Sequence, residues 1–106
     1  MDKAINTLQI CYKARKIIYG EKVFVAIRNH QVFLVVIAND IGKDNLKKLK
    51  DKTTTYNIPI IIYKDKNTFQ NIFNKNVSYF GINDENLAKK FVENIRGGEE
   101  NGKECD

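Results

Sequence analysis

The chain has 106 residues, with 18 Lys and Arg against 13 Asp and Glu for a formal charge of +5; that is the length of one domain, able to fold on its own core without disulfide or metal staples. The charge is uneven, residues 1–98 carrying +8 and residues 99–106 carrying −3. A basic body points to a polyanionic partner, although a lysine-rich surface that serves solubility, or an AT-rich coding bias toward Lys, Asn and Ile, gives the same composition.

Cys11 and Cys105 lie far apart, form no CxxC pair, and cannot complete a metal set with the single histidine. Reduced thiols in the cytoplasm fit best, with Cys11 as a small core filler. The start of the chain lacks the basic-then-apolar pattern of a signal peptide, and no apolar stretch approaches the roughly 20 residues of a membrane helix. No metal, cofactor or membrane is expected.

In chain order, Ile5, Leu8, Cys11 and Tyr12 recur at helical spacing and predict a first amphipathic helix over Lys3 to Arg15. Ile17-Ile18-Tyr19 reads as a short strand stopped by Gly20. From Glu21 to Asn29, Val23, Ala26 and Ile27 share one helical face; the β-branched content leaves a strand open, but a crossover is needed before the next strand. Asn29-His30-Gln31 is a turn. The run Val32 to Ala38 is wholly apolar and β-branched, the pattern of a strand buried on both faces. After the loop Asp40 to Asp44, a helix over Asn45 to Thr53 turns Leu46 and Leu49 inward and its lysines outward. Pro59 then opens a second buried strand, Ile60 to Tyr63. Asp65 or Asn67 can cap the next helix, Asn67 with Gln70 resembling a capping box, and Phe69, Ile72 and Phe73 form its buried face. Asn74-Lys75-Asn76 leads into a last strand, Val77 to Ile82. Asn83-Asp84-Glu85 starts a helix striped by Leu87, Ala88, Phe91, Val92 and Ile95 and ended by Gly97-Gly98. This alternation predicts an α/β fold, a three-layer α/β/α sandwich around a central mixed four-stranded sheet. Residues 1–97 form the domain and residues 98–106 an acidic, disordered tail.

Catalytic patterns are missing. There is no Gly-rich phosphate loop and no Gly-x-Ser-x-Gly elbow. His30 lies among turn residues without an acid or nucleophile motif. Asp40 ends a strand alone, as a loop cap does. An enzyme is not expected; a phosphoryl carrier using Cys11 or Asp40 is the weakest of the alternatives. The positive signal is a cluster. Lys13, Arg15 and Lys16 stand at the first helix-to-strand junction, and Gly20, Glu21 and Lys22 form the next turn at a helix start. Backbone N–H groups and lysines there can meet phosphates, and Arg15 can bind one bidentately. Glu21 is a poor neighbour for phosphate; it either accepts hydrogen bonds from guanine N–H donors or stabilises a helix dipole.

Taken together, Lys13 to Glu21, Leu34 to Asp40, Lys47 to Lys52, Tyr56-Asn57-Ile58-Pro59 and Asn83-Asp84 resemble the kink-turn-binding ribosomal protein superfamily, the L-seven-Ae and L-thirty-e class, closest to its small bacterial ribosome-associated branch of the YlxQ type. The resemblance covers residues 5–95 and implies an α/β/α sandwich that holds RNA at three loops gathered at one end of the sheet: Gly20-Glu21-Lys22, Asn39-Asp40-Ile41 and Asn74-Lys75-Asn76-Val77. In such binders turn residues read sheared G·A pairs and apolar residues of the third loop pack on a splayed nucleotide. The sequence departs from the family where a Lys would follow the Gly-Glu step by one helical turn. The expected protein is a non-catalytic, cytoplasmic RNA-binding component of the ribosome or another ribonucleoprotein, monomeric when free, with ribosomal proteins as further partners. Lys13, Arg15, Lys16, Lys22 and Lys75 would grip phosphates, and Glu21 and Asn39 would meet bases. The alternative is a protein-interaction module on the same fold, with Phe24 and Phe73 as its apolar contact surface.

Overall fold

The computed structural model describes residues 3–104, with side chains through residue 96; Cys105 and the end of the acidic segment lie outside them. Among the described residues nine elements follow in strict alternation: α1 (Lys3–Lys13), β1 (Ile17–Tyr19), α2 (Lys22–Arg28), β2 (Leu34–Ile37), α3 (Lys43–Thr55), β3 (Ile60–Ile62), α4 (Lys66–Phe73), β4 (Tyr79–Ile82) and α5 (Glu85–Glu104). The strands form one mixed sheet in the order β1-β4-β2-β3. β4 runs antiparallel to both β1 and β2, while β2 and β3 are parallel. The predicted three-layer α/β/α sandwich is thus the observed one.

Two apolar clusters fill the spaces on either side of the sheet. On one face Leu8 and Cys11 of α1, Phe69 and Phe73 of α4 and Phe91 of α5 pack on Leu34, Val36, Phe80 and Ile82. On the other, Val23, Ala26 and Ile27 of α2 and Leu49 of α3 pack on Val35, Ile37 and Tyr79. Alternate residues of β2 serve the two clusters, which is why a run with no polar position forms its strand. Phe80 meets Phe69 and Phe73 edge-on, with ring centroids 5.0 and 4.8 Å apart. Such pairs add about 0.5–1.5 kcal/mol each beyond burial.

Several expectations need correction. Tyr12 is 42 % exposed, since Ala4, Thr7, Leu8 and Cys11 fill the inward face of α1. Phe33 precedes β2 and is 41 % exposed, although its N–H donates to the Ile82 carbonyl. β3 is an edge strand rather than a buried one, and Ile62 is 58 % exposed. Asp65 caps α4, accepting from the Thr68 N–H and hydroxyl at 2.9 and 2.8 Å, so Asn67 lies inside the helix and makes no capping box. Those bonds hold the Asp65 carboxyl below its ordinary pKa. α5 passes through Gly97-Gly98 instead of stopping there; each glycine costs about 1 kcal/mol against Ala in a helix but does not forbid it. Phe24 and Phe73 are not an outer contact surface. Phe73 is buried, and Phe24 lies half-buried with its ring 5.9 Å from Tyr79.

Gly81 sits in the middle of β4, paired with both Ile18 and Val35. A Cβ there would lie 2.6 Å from Cγ2 of the buried, stiff Val32 side chain. Gly81→Ala should therefore lower stability by about 1–3 kcal/mol, read as an earlier urea midpoint with an unchanged slope. Gly81→Ala combined with Val32→Ala should recover part of that loss.

Candidate nucleic-acid interface

The sheet order determines where the loops go. Because β4 opposes β1, β2 and, through β2, β3, its first residue lies beside the last residues of the other three: Tyr19 pairs next to Phe80, and Ile37 opposite Tyr79 and Ile62. The turns after β1, β2 and β3 and the loop before β4 consequently share one pole. Gly20, Glu21, Lys22, Asn39, Asp40, Ile41, Asn74, Lys75, Asn76 and Val77 are all brought to it. Lys16 is not. Its carbonyl accepts from the Asn83 N–H at 2.8 Å, at the far end of β1 and β4. β1 rises about 10 Å between the two poles.

Hydrogen bonds tie the loop after β2 to its neighbours. The Ala38 N–H donates to Ser78, the Asn39 N–H to Lys64 at 2.7 Å, and the Lys66 N–H to Asp40 Oδ1 at 3.0 Å. Asp40 is therefore a tether across 26 residues of chain, and its carboxylate is engaged rather than offered as a nucleophile. Cys11 is fully buried, and burial, followed by the Asp84 carboxylate, pushes its thiol up to about 11. Ile41 and Val77 are half-buried, each packed on one of the two apolar clusters.

Gly20 turns the chain with φ +62°, and a Cβ there would meet nothing within 4 Å, so the backbone conformation alone selects glycine. Glu21 follows at the N-cap position of α2 but makes no side-chain cap bond. Its carboxylate is exposed and raises the Tyr79 hydroxyl pKa, after burial of that ring. The amide cradle expected here is reduced, since the Val23 and Phe24 N–H groups donate to Gly20 and Glu21. Lys22 and Lys75 are exposed, reaching the pole from opposite faces of the sheet. Lys13 and Arg15 stand away from the turns but face Lys75 across a cleft of about 370 Å³ that also contains Tyr12, Ile17 and Tyr19.

A family model described as the ribosomal protein L7Ae/L30e/S12e/Gadd45 family matches residues 2–92. This chain belongs to that family. It is 35 % identical over 96 residues to RNA-binding protein YlxQ of Enterococcus faecium, an alignment covering 90 % of this chain and 93 % of that protein. Its structure is similar to that of a Bacillus halodurans protein of unknown function, at 28 % identity and a TM-score of 0.85, over 91 % of this chain and 99 % of the other. A Giardia lamblia 15.5 kD RNA-binding protein shares the fold, with a TM-score of 0.71 at 17 % identity, over 88 % of this chain and 82 % of its own.

The family's sheet brings to the pole a segment that the sequence reading left out, the turn Lys64-Asp65-Lys66 between β3 and α4. A signal was present: two lysines directly follow a strand that reads as a neighbour of the central one. Tyr12 and Tyr19 were missed as site residues because both belong to apolar runs. Burial, and then the neighbouring Tyr12, push the Tyr19 hydroxyl up to about 12 from 10.0, so it stays neutral beside Lys75 at any physiological pH.

Both Cys11 and Tyr19 hold their protons to higher pH when folded than when unfolded. Their stabilisation is complete below about pH 9 and is withdrawn as pH rises through the folded values. The urea midpoint should fall steadily from about pH 9 to 12, and Tyr19→Phe should remove part of the fall above pH 10, its ordinary value.

Proposed function

We propose that this is a non-catalytic, ribosomal-protein-like RNA-binding protein of the cytoplasm that recognises a kink-turn-like RNA within the ribosome or another ribonucleoprotein. Residues 1–97 form its RNA-binding domain and the acidic residues beyond form a tail. The observation that carries the reading is the gathering of three predicted loops at one pole by the strand order, where hydrogen bonds already tie the 39–41 loop to the Lys64–Lys66 turn before any ligand arrives. The Enterococcus faecium relative, matched over nearly its whole length, is named an RNA-binding protein.

The geometry supports a role for each of four exposed residues. Lys22 and Lys75 flank the pole and neutralise phosphates on either side. Glu21 is not spent on capping, and its exposed carboxylate is an acceptor-only group suited to guanine N–H donors on the edge of an irregular pair. Asn39 is exposed at the same pole and offers both a donor and an acceptor to a base. Lys16 has no part in this seat.

Titration of a labelled kink-turn hairpin by fluorescence anisotropy tests this. Affinity should fall steeply with salt, and Lys22→Ala and Lys75→Ala should each reduce the log–log slope by about 0.7–0.9. Glu21→Ala should weaken binding about tenfold or more, as loss of a charged hydrogen-bond acceptor does. Lys16→Ala should stay close to the parent protein. Salt-independent binding, or no binding, would defeat the proposal.

A further inference from the structure

We propose that the cleft between the end of α1, the face of β1 and the 74–77 loop is a second seat, which takes one unpaired nucleotide of an RNA strand leaving the pole. The inference rests on the RNA-binding reading and adds a site to it.

The cleft is continuous with the pole, because Tyr19 directly precedes Gly20 and Lys75 lies in the third loop. Its floor is aromatic. The buried Phe73 ring supports Tyr12 at 5.8 Å and Tyr19 at 5.6 Å between centroids. Lys75 Nζ lies 5.0 Å from the Tyr19 ring centre and covers that ring, while Tyr12 is 42 % exposed. Tyr12 is thus the more open of the two rings, packed on Phe73 and partly exposed to solvent. Around it stand Lys13, Arg15 and Lys75, and no acidic side chain lines the cleft among the described residues.

Arg15 is held there by the way α1 ends. The Lys16 N–H donates to the Cys11 carbonyl at 2.8 Å and the Arg15 N–H to Tyr12 at 3.1 Å, with Arg15 at φ 60°. That is a Schellman turn whose left-handed position is ordinarily glycine. An arginine in this place is conformationally strained and puts a guanidinium on the cleft lip.

An aromatic platform ringed by cations is how proteins hold single-stranded nucleic acid, one base stacked and its phosphates neutralised. A duplex has no free base face for Tyr12. An acidic peptide would use the cations but has no planar group for the ring.

The test compares two RNAs by anisotropy: a blunt kink-turn hairpin, and the same hairpin with a short single-stranded uridine extension. The extension should tighten binding about five- to a hundred-fold, the range for one stacked base. Tyr12→Ala should abolish that gain and leave the blunt RNA unaffected. Arg15→Gly, which relieves the backbone strain and so keeps the fold, should remove part of it. If the blunt hairpin binds and the extension adds nothing, the second seat is wrong while the pole stands. If Tyr12→Ala weakens both RNAs equally, the seat is likewise wrong. Displacement of the extension by a poly-glutamate peptide at equal affinity would reassign the cleft to acidic protein. Failure of both RNAs to bind would overturn the functional reading and this inference together.

Discussion

β4 takes the position between β1 and β2 and runs against both of them. That pairing puts the exits of three strands beside the entrance of the fourth, so the turns after β1, β2 and β3 and the loop before β4 come out at one pole. It is possible because Gly81 presents no side chain to Val32, letting the sheet and the chain leading into β2 approach closely. Any larger residue at the centre of this strand would push against the buried Val32 side chain, beneath the register on which the pole depends.

The apolar core reaches directly into the candidate site. Phe73 touches Phe69 and Phe80 inside and Tyr12 and Tyr19 toward the surface. The same ring fills the core and props the aromatic floor of the cleft, so packing energy and site geometry are coupled there. The loop after β2 is held in another way, its N–H groups donating to the Ser78 and Lys64 carbonyls and the Asp40 carboxylate accepting from Lys66. Neither arrangement takes up the exposed Lys22 side chain or spends Glu21 on a helix cap. Those groups remain available to a ligand.

Family membership and geometry meet in the division of charge. Lysines occur all round the chain, and on α3 they form the solvent face of a helix with a thin apolar stripe. Those near the pole and the cleft stand beside tyrosines, turn residues and the Glu21 carboxylate, which makes no cap bond. The proposed recognition rests on that local mixture, whereas the net charge of +5 bears on encounter and solubility.

The alternation of helices and strands, the layer count and most core positions were legible in the sequence, because periodicity and caps are local physics: Leu8 and Cys11, Val23 and Ile27, and the capped start at Asp84 needed no partner to be recognised. So was the composition of the three loops, since turn chemistry is local as well. What no local pattern carries is exposure at the ends and edges of the sheet. Tyr12, Phe33 and Ile62 read as core and are exposed, for their burial depended on what lay across from them. The separation of Lys16 from Glu21, the tether between Asp40 and Lys66, and the meeting of Lys13 and Arg15 with Lys75 all arise from strand order. Strand order is set by contacts between residues distant in the chain, and only the folded molecule makes them.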